Sequence, residues 1–246
     1  MAKRLLAVFG AGCDMKDGIW IPGGDFEIWP LGPNGGRSIV RQDSVDDNDP
    51  NAVIGMGELT LEAAVAIYPH VNPDSVAIAY GDSSPSLKLD GHPSENEVMS
   101  EYFEERHPKA RLEIFDPVEW KSGGSASGTY HEVANLLRLM QRDAIDEVFI
   151  VHRKVHLRAM ELTTLRLQEP EFQDLAKRIR IQSGSVESIL TKSDPDKFWK
   201  RIWNIEDSKA YTRSLLREGN WLYNFIKKGS TQVVQKPVEQ PILATK

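Results

Sequence analysis

Along the chain, short apolar runs alternate with longer stretches in which apolar residues return every three or four positions. The short runs, residues 4–9, 75–80, 111–115, 146–151 and 178–182, read as strands, residues 4–9 as a central strand of a parallel sheet and 146–151 as a short buried one. Helical spacing joins Leu59, Ala63, Ala64 and Ile67 over residues 58–68, with Pro69 expected to end that helix. It also joins Val98, Met99, Tyr102 and Phe103 after Ser94, the apolar positions of residues 130–137, and Leu157, Met160, Thr164 and Leu167. A further helix is expected over residues 170–177. Ser94 with Glu97, and Thr129 with Glu132, have the spacing of capping boxes, in which each side chain satisfies a backbone N–H of the first turn. Strands and helices in alternation predict an α/β fold, with helices over both faces of a mostly parallel five-stranded sheet. Strand order stays open, because right-handed crossovers allow more than one doubly wound arrangement.

Residues 13–56 break this rhythm. They are rich in Gly, Pro, Asp and Asn, with β-like pieces at 19–21, 26–29 and 38–41, and read as a hairpin-bearing insertion or lid after strand 1. Residues 1–190 form the α/β domain on this reading. Residues 191–229 form a helical C-terminal extension, with Phe198, Trp199, Ile202 and Trp203 on one amphipathic turn and Tyr211, Leu215, Leu222, Phe225 and Ile226 on a longer helix that ends at Gly229. The tryptophans are expected to pack on the main sheet or on a second subunit. Residues 230–246 lack periodicity and read as a flexible tail.

Charge narrows the function. The formal net charge is −6, which argues against a nucleic-acid partner, yet residues 121–246 carry 21 Lys and Arg against 15 Asp and Glu, while residues 1–120 carry 9 against 21. The basic bias lies in the half that holds a Gly/Ser loop at residues 122–129 and a basic turn at 152–158, and it suits a small anionic ligand. A single cysteine, Cys13, and no membrane-length apolar window give the expectation of a cytoplasmic protein.

Candidate chemistry gathers where strands exit. Gly10 and Gly12 follow strand 1, although Met15 stands where a dinucleotide fingerprint needs its third glycine. Gly81 and Asp82 follow strand 2, and Ser94 and Glu95 open the next helix, with Glu95 outside the reciprocal cap and therefore placed to meet a ligand hydroxyl or a metal. Ser127 and Thr129 lie at the end of the Gly/Ser loop, whose N–H groups and following helix suit a phosphate or carboxylate. Arg153 and Arg158 supply cations, and His156 titrates near physiological pH, as an acid/base must; the competing reading of His156 is a strand-end histidine satisfied by backbone. His152 and His156 are four apart, which chelates a metal only on a helix, and Asp47, Asp49, Asn51 and Glu58 depart from an EF-hand at Ala52. No metal is expected. Neither a Gly-x-Ser-x-Gly elbow nor a P-loop lysine is present.

The order of these segments resembles the YdcF-like family, which includes SanA and ElyC. The resemblance rests on Gly10-Ala-Gly12, on Ser94-Glu95-x-Glu97-Val-Met99, on the Ser/Thr loop before a helix and on His156-x-Arg158-Ala159, and it spans roughly residues 3–182. Ala126, Gly128 and Glu132 depart from the family's Ser-x-Asn-Thr loop, and His156-x-Arg158 is shorter than its His-x-x-Arg. What the resemblance implies is a Rossmann-like sheet with polar residues at one edge and, for the soluble branch, S-adenosylmethionine binding. Two uses follow: a group-transfer or hydrolytic enzyme acting on an adenosyl-, nucleotide- or phosphate-bearing molecule, with His156 and Glu95 as its catalytic groups, or a noncatalytic sensor reporting through its C-terminal helices or a homodimer.

Overall fold

The computed structural model describes residues 2–10, 12–28, 48–81, 93–115 and 129–228. At its centre, β1 (Arg4–Val8) is flanked by β6 (Ser75–Ile78) and β8 (Glu147–His152), with β7 (Leu112–Glu113) and β9 (Arg180–Ser185) outermost. The order is β7-β6-β1-β8-β9 and every pair is parallel. Successive side chains of a strand face opposite ways, so a central strand must be apolar at every position. β1 does this. Leu6 and Val8 enter one core, together with α1 (Gly57–Val71), α2 (Glu95–Arg106), α6 (Val186–Ser193) and α7 (Pro195–Glu206). Leu5, Ala7 and Phe9 enter the other, against α3 (Thr129–Arg142), α4 (Leu157–Arg166) and α5 (Gln173–Arg178). The result is a Rossmann-like three-layer sandwich.

The insertion is a pair of hairpins. β2 (Cys13–Lys16) pairs with β3 (Ile19–Pro22), and β4 (Phe26–Ile28) pairs with β5 (Ala52–Ile54), both antiparallel. Both of its ends are tied to the linker between the hairpins, because Gly23 N–H donates to Gly12 O at 3.0 Å and Met56 N–H to Gly24 O at 2.6 Å. Gly57 sits inside this junction. A Cβ there would stand 2.4 Å from Gly23 N and 2.9 Å from Gly12 O, both rigid backbone, so only glycine fits.

Several expectations need correction. α1 does not stop at Pro69 but runs through it to Val71 and ends on Asn72 in the left-handed region. Pro69 lacks the N–H that would bond Val65 O, and the His107 ring meets that carbonyl instead, 3.2 Å away. The C-terminal helices reach the core, since Phe198, Ile202, Ile205 and Ala210 are buried in it. Of the two places expected for the tryptophans, the sheet or a second subunit, Trp199 and Trp203 do not take the first. They are 60% and 57% exposed and stack on each other, ring centroids 6.5 Å apart. No helix among the described residues is long and apolar enough to cross a membrane. The expected strand at 38–41, the Gly/Ser loop at 122–128, Gly229 and the tail at 230–246 lie outside the described residues.

Candidate functional site

The chain leaves β1 toward β6 and β7 on one side, then returns to β8 and β9 on the other. Parallel sheets bind ligands beyond the carboxyl ends of strands where the order reverses, here between β1 and β8. Residues from four separate parts of the chain meet at that point: the Gly10–Gly12 turn, the start of α2, the start of α3, and the turn from β8 into α4.

Two buried carboxylates hold the glycine turn. Glu132 Oε1, on α3, accepts from Gly10 N–H at 2.8 Å, and Glu95 Oε1, on α2, accepts from Gly12 N–H. Both residues are under a tenth exposed. Gly10 has no Cβ because one would lie 3.0 to 3.1 Å from the Glu95 carboxylate. In a dinucleotide site these N–H groups face pyrophosphate; here protein carboxylates already fill that anionic position.

Thr129 is the first residue of α3 and His156 caps α4, so two helix starts face each other. Thr129 Oγ1 lies 3.2 Å from His156 Nε2, and His156 Nδ1 lies 3.4 Å from Arg153 Nη2. A guanidinium only donates, which assigns the lone pair of His156 to Nδ1 and its proton to Nε2, donating to Thr129. The Phe9 ring meets the His156 ring edge-on, with centroids 6.0 Å apart. His156 is 4% exposed and Thr129 9%. Arg153 also donates to Gly55 O at 2.6 Å, Ile54 O at 3.4 Å and Gly10 O at 3.3 Å. It therefore braces the β8–α4 turn against the exits of β1 and β5.

The structure thus brings together Gly10, Gly12, Glu95, Thr129, Arg153 and His156. Ser94 stands beside them, but its hydroxyl and N–H are engaged in the capping box with Glu97. Thr129 and Glu132 do not form the expected capping box: Thr129 is already helical, and the two side chains reach His156 and Gly10. Gly81, at φ 115°, lies against the Asn135 side chain of α3. Asp82 and Ser127 lie outside the described residues, and of Arg158 only its place in the first turn of α4 is described. His152 points its Nδ1 at Arg153 O, 3.1 Å away, and burial lowers its pKa. Among the described residues there is no group of three or more His, Cys, Asp or Glu side chains that could hold a metal.

Sequence reading missed Glu132 as a site residue, and with it Asn96 and Asn135. Asn96 ties the sheet edge together, donating to Ile78 O at 2.6 Å and accepting from Phe115 N–H at 3.1 Å. A signal was present for two of the three. Thr129, Glu132 and Asn135 are three apart, a polar stripe on a helix where Val133, Ala134, Leu136 and Leu137 are core. Compared with protein-family models, curated proteins and solved structures, the chain matches none.

Proposed function

We propose that this chain is a YdcF-like protein that binds an adenosyl-bearing small molecule, of the S-adenosylmethionine or nucleotide type, at the carboxyl edge of its sheet. The observation that carries the reading is the meeting of buried Glu95, Glu132, Thr129 and His156 around the Gly10–Gly12 turn, at the point where strand order reverses. Two carboxylates on the glycine N–H groups disfavour a pyrophosphate there and favour a ligand that brings amino, sulfonium or hydroxyl groups. Within the two, S-adenosylmethionine is the better fit.

In the enzymatic form, His156 Nε2–H donates to Thr129 Oγ1, which leaves the Thr129 hydroxyl to donate a hydrogen bond to the ligand, so the pair orients the reacting group. Arg153 does not hold the ligand's anion in this scheme; it orients His156. The sensor reading has its own support. Ser214 Oγ on α8 (Lys209–Lys228) accepts from Ile54 N–H at 2.9 Å, and the carbonyls of Ile54 and Gly55 bind Arg153, so a C-terminal helix is linked to the site through three contacts.

Calorimetric titration with S-adenosylmethionine, ATP and NAD tests the reading. S-adenosylmethionine is expected to bind, and at a hundred times its Kd to stabilise the fold by about 2.7 kcal/mol. Absence of heat and of stabilisation with all three ligands would refute it. Turnover lost in His156→Ala with binding retained supports the enzyme; binding without turnover by the wild type supports the sensor.

A further inference from the structure

We infer that Glu187 is a positioning residue for the site: its carboxylate fixes the turn that presents Arg153 and His156, and holds it most firmly when ionised. The inference rests on reading that turn as part of the ligand site.

Glu187 lies in the first turn of α6, directly after β9, and is 1% exposed. Pairing of β8 with β9 ends at His152 and Ser185, so the Lys154 N–H, two residues further on, has left the ladder. Both Glu187 oxygens take it, each 3.1 Å from Lys154 N. One residue on either side of that peptide stand Arg153 and Val155, and the turn closes with His156 N–H on Arg153 O at 2.9 Å. A bond from an N–H to a carboxylate is about twice as strong as one to a neutral acceptor, so ionisation of Glu187 sets how firmly the turn is held.

The surroundings make that ionisation labile. The groups facing Glu187 are Lys154 on the turn, Glu206 at the end of α7 and Tyr211 on α8. Lys154 Nζ is itself paired with Glu206, which leaves one net negative charge among the two carboxylates and the ammonium. Burial is the main cause that raises the Glu187 pKa above its ordinary 4.5, and the Tyr211 phenol is pushed up to about 12 by burial first and then by Glu187 and Glu206. Because its folded pKa is raised, Glu187 adds to global stability below its ordinary pKa, and that contribution is lost as pH rises through the folded value. The local effect has the opposite sign. Acid favours the fold as a whole at this residue while loosening the turn, and a purely structural role for Glu187 would not separate the two.

Hydrogen exchange at the Lys154 amide of the ligand-free protein, corrected for intrinsic rate, reads this out. As pH is lowered through the Glu187 titration, its protection is expected to fall about tenfold in the wild type, because a neutral carboxyl is the weaker acceptor. In Glu187→Gln, which keeps an acceptor oxygen but cannot titrate, protection should be lower at pH 7 and nearly flat. The same pH dependence in both proteins would assign the effect to buried His152 and overturn the inference. So would a Glu187 carboxyl titration, followed by carbon chemical shift in the wild type, that does not coincide with the loss of protection. In parallel, S-adenosylmethionine affinity should weaken with acid more steeply in the wild type than in Glu187→Gln. Failure of S-adenosylmethionine to bind either protein counts against the proposed function, while the exchange experiment still decides the role of Glu187.

Discussion

Replacing Glu132 by alanine would expose how the glycine turn is held. The substitution removes the acceptor 2.8 Å from Gly10 N–H at a position only 7% exposed, and leaves that N–H facing a gap. Losing a hydrogen bond to a charged group costs about 1.5–3 kcal/mol. The carboxylate also lies in the first turn of α3, where removal of negative charge costs a further ~0.3–1 kcal/mol. Alanine returns a few tenths of a kcal/mol, about 0.4, as the better helix former. The net expectation is a loss of about 2–3 kcal/mol, or a Tm lower by roughly 4–10 °C for a chain of this size. Urea unfolding at pH 7 measures it. Glu132→Gln keeps an oxygen for Gly10 and should lose about 1 kcal/mol or less. Wild-type stability in Glu132→Ala would refute the reasoning, and so would a glutamine variant as unstable as the alanine one, since charge and not the hydrogen bond would then be at work.

Three further outcomes are expected. Gly57→Ala should destabilise by about 2 kcal/mol or more in urea unfolding, because its Cβ meets backbone at Gly23 and Gly12 and cannot be relieved by a rotamer change, despite the roughly 1 kcal/mol that alanine gains in a helix. His107→Ala should cost about 1–2 kcal/mol by the same assay, since it strips the carbonyl that Pro69 cannot bond and removes a ring packed on Tyr68 and Phe103. The pKa of His152 is lowered by burial, so its contribution to stability is present above the ordinary value of 6.5 and is lost as pH falls through the folded value. His152→Gln should therefore unfold less readily than the wild type on going from pH 7 to pH 5, with an unchanged acid slope as the contrary result.

How much of this was legible in the sequence depended on what kind of constraint each residue answers to. β1, β6 and β8 are buried on both faces, and burial on both faces forces an unbroken apolar run that any reader can see. β2, with Cys-Asp-Met-Lys, carries no such mark, because a hairpin strand needs only a partner, and β5 is apolar but only three residues long. Pro69 misled because its missing bond is met by His107, 38 residues later in the chain, which no local rule contains. Trp199 and Trp203 stay exposed because Phe198 and Ile202 occupy the inward face of the same helix. At the site, glycines, Glu95 and His156 stood out by type and position. Glu132 and Glu187 did not, since a carboxylate in the first turn of a helix looks like a cap until the distant N–H it binds is seen. Arg153 was legible as a cation, but its engagement with three backbone carbonyls was not.

The central claim, that scattered residues form one binding site where strand order reverses, is tested most directly by amide chemical-shift mapping during titration with S-adenosylmethionine. The account predicts saturable shifts at Gly10, Gly12, Glu95, Thr129 and His156, with residues at the opposite edge of the sheet, such as Arg4 and Arg180, unmoved. Shifts confined to that opposite edge, or saturable shifts nowhere, would contradict it.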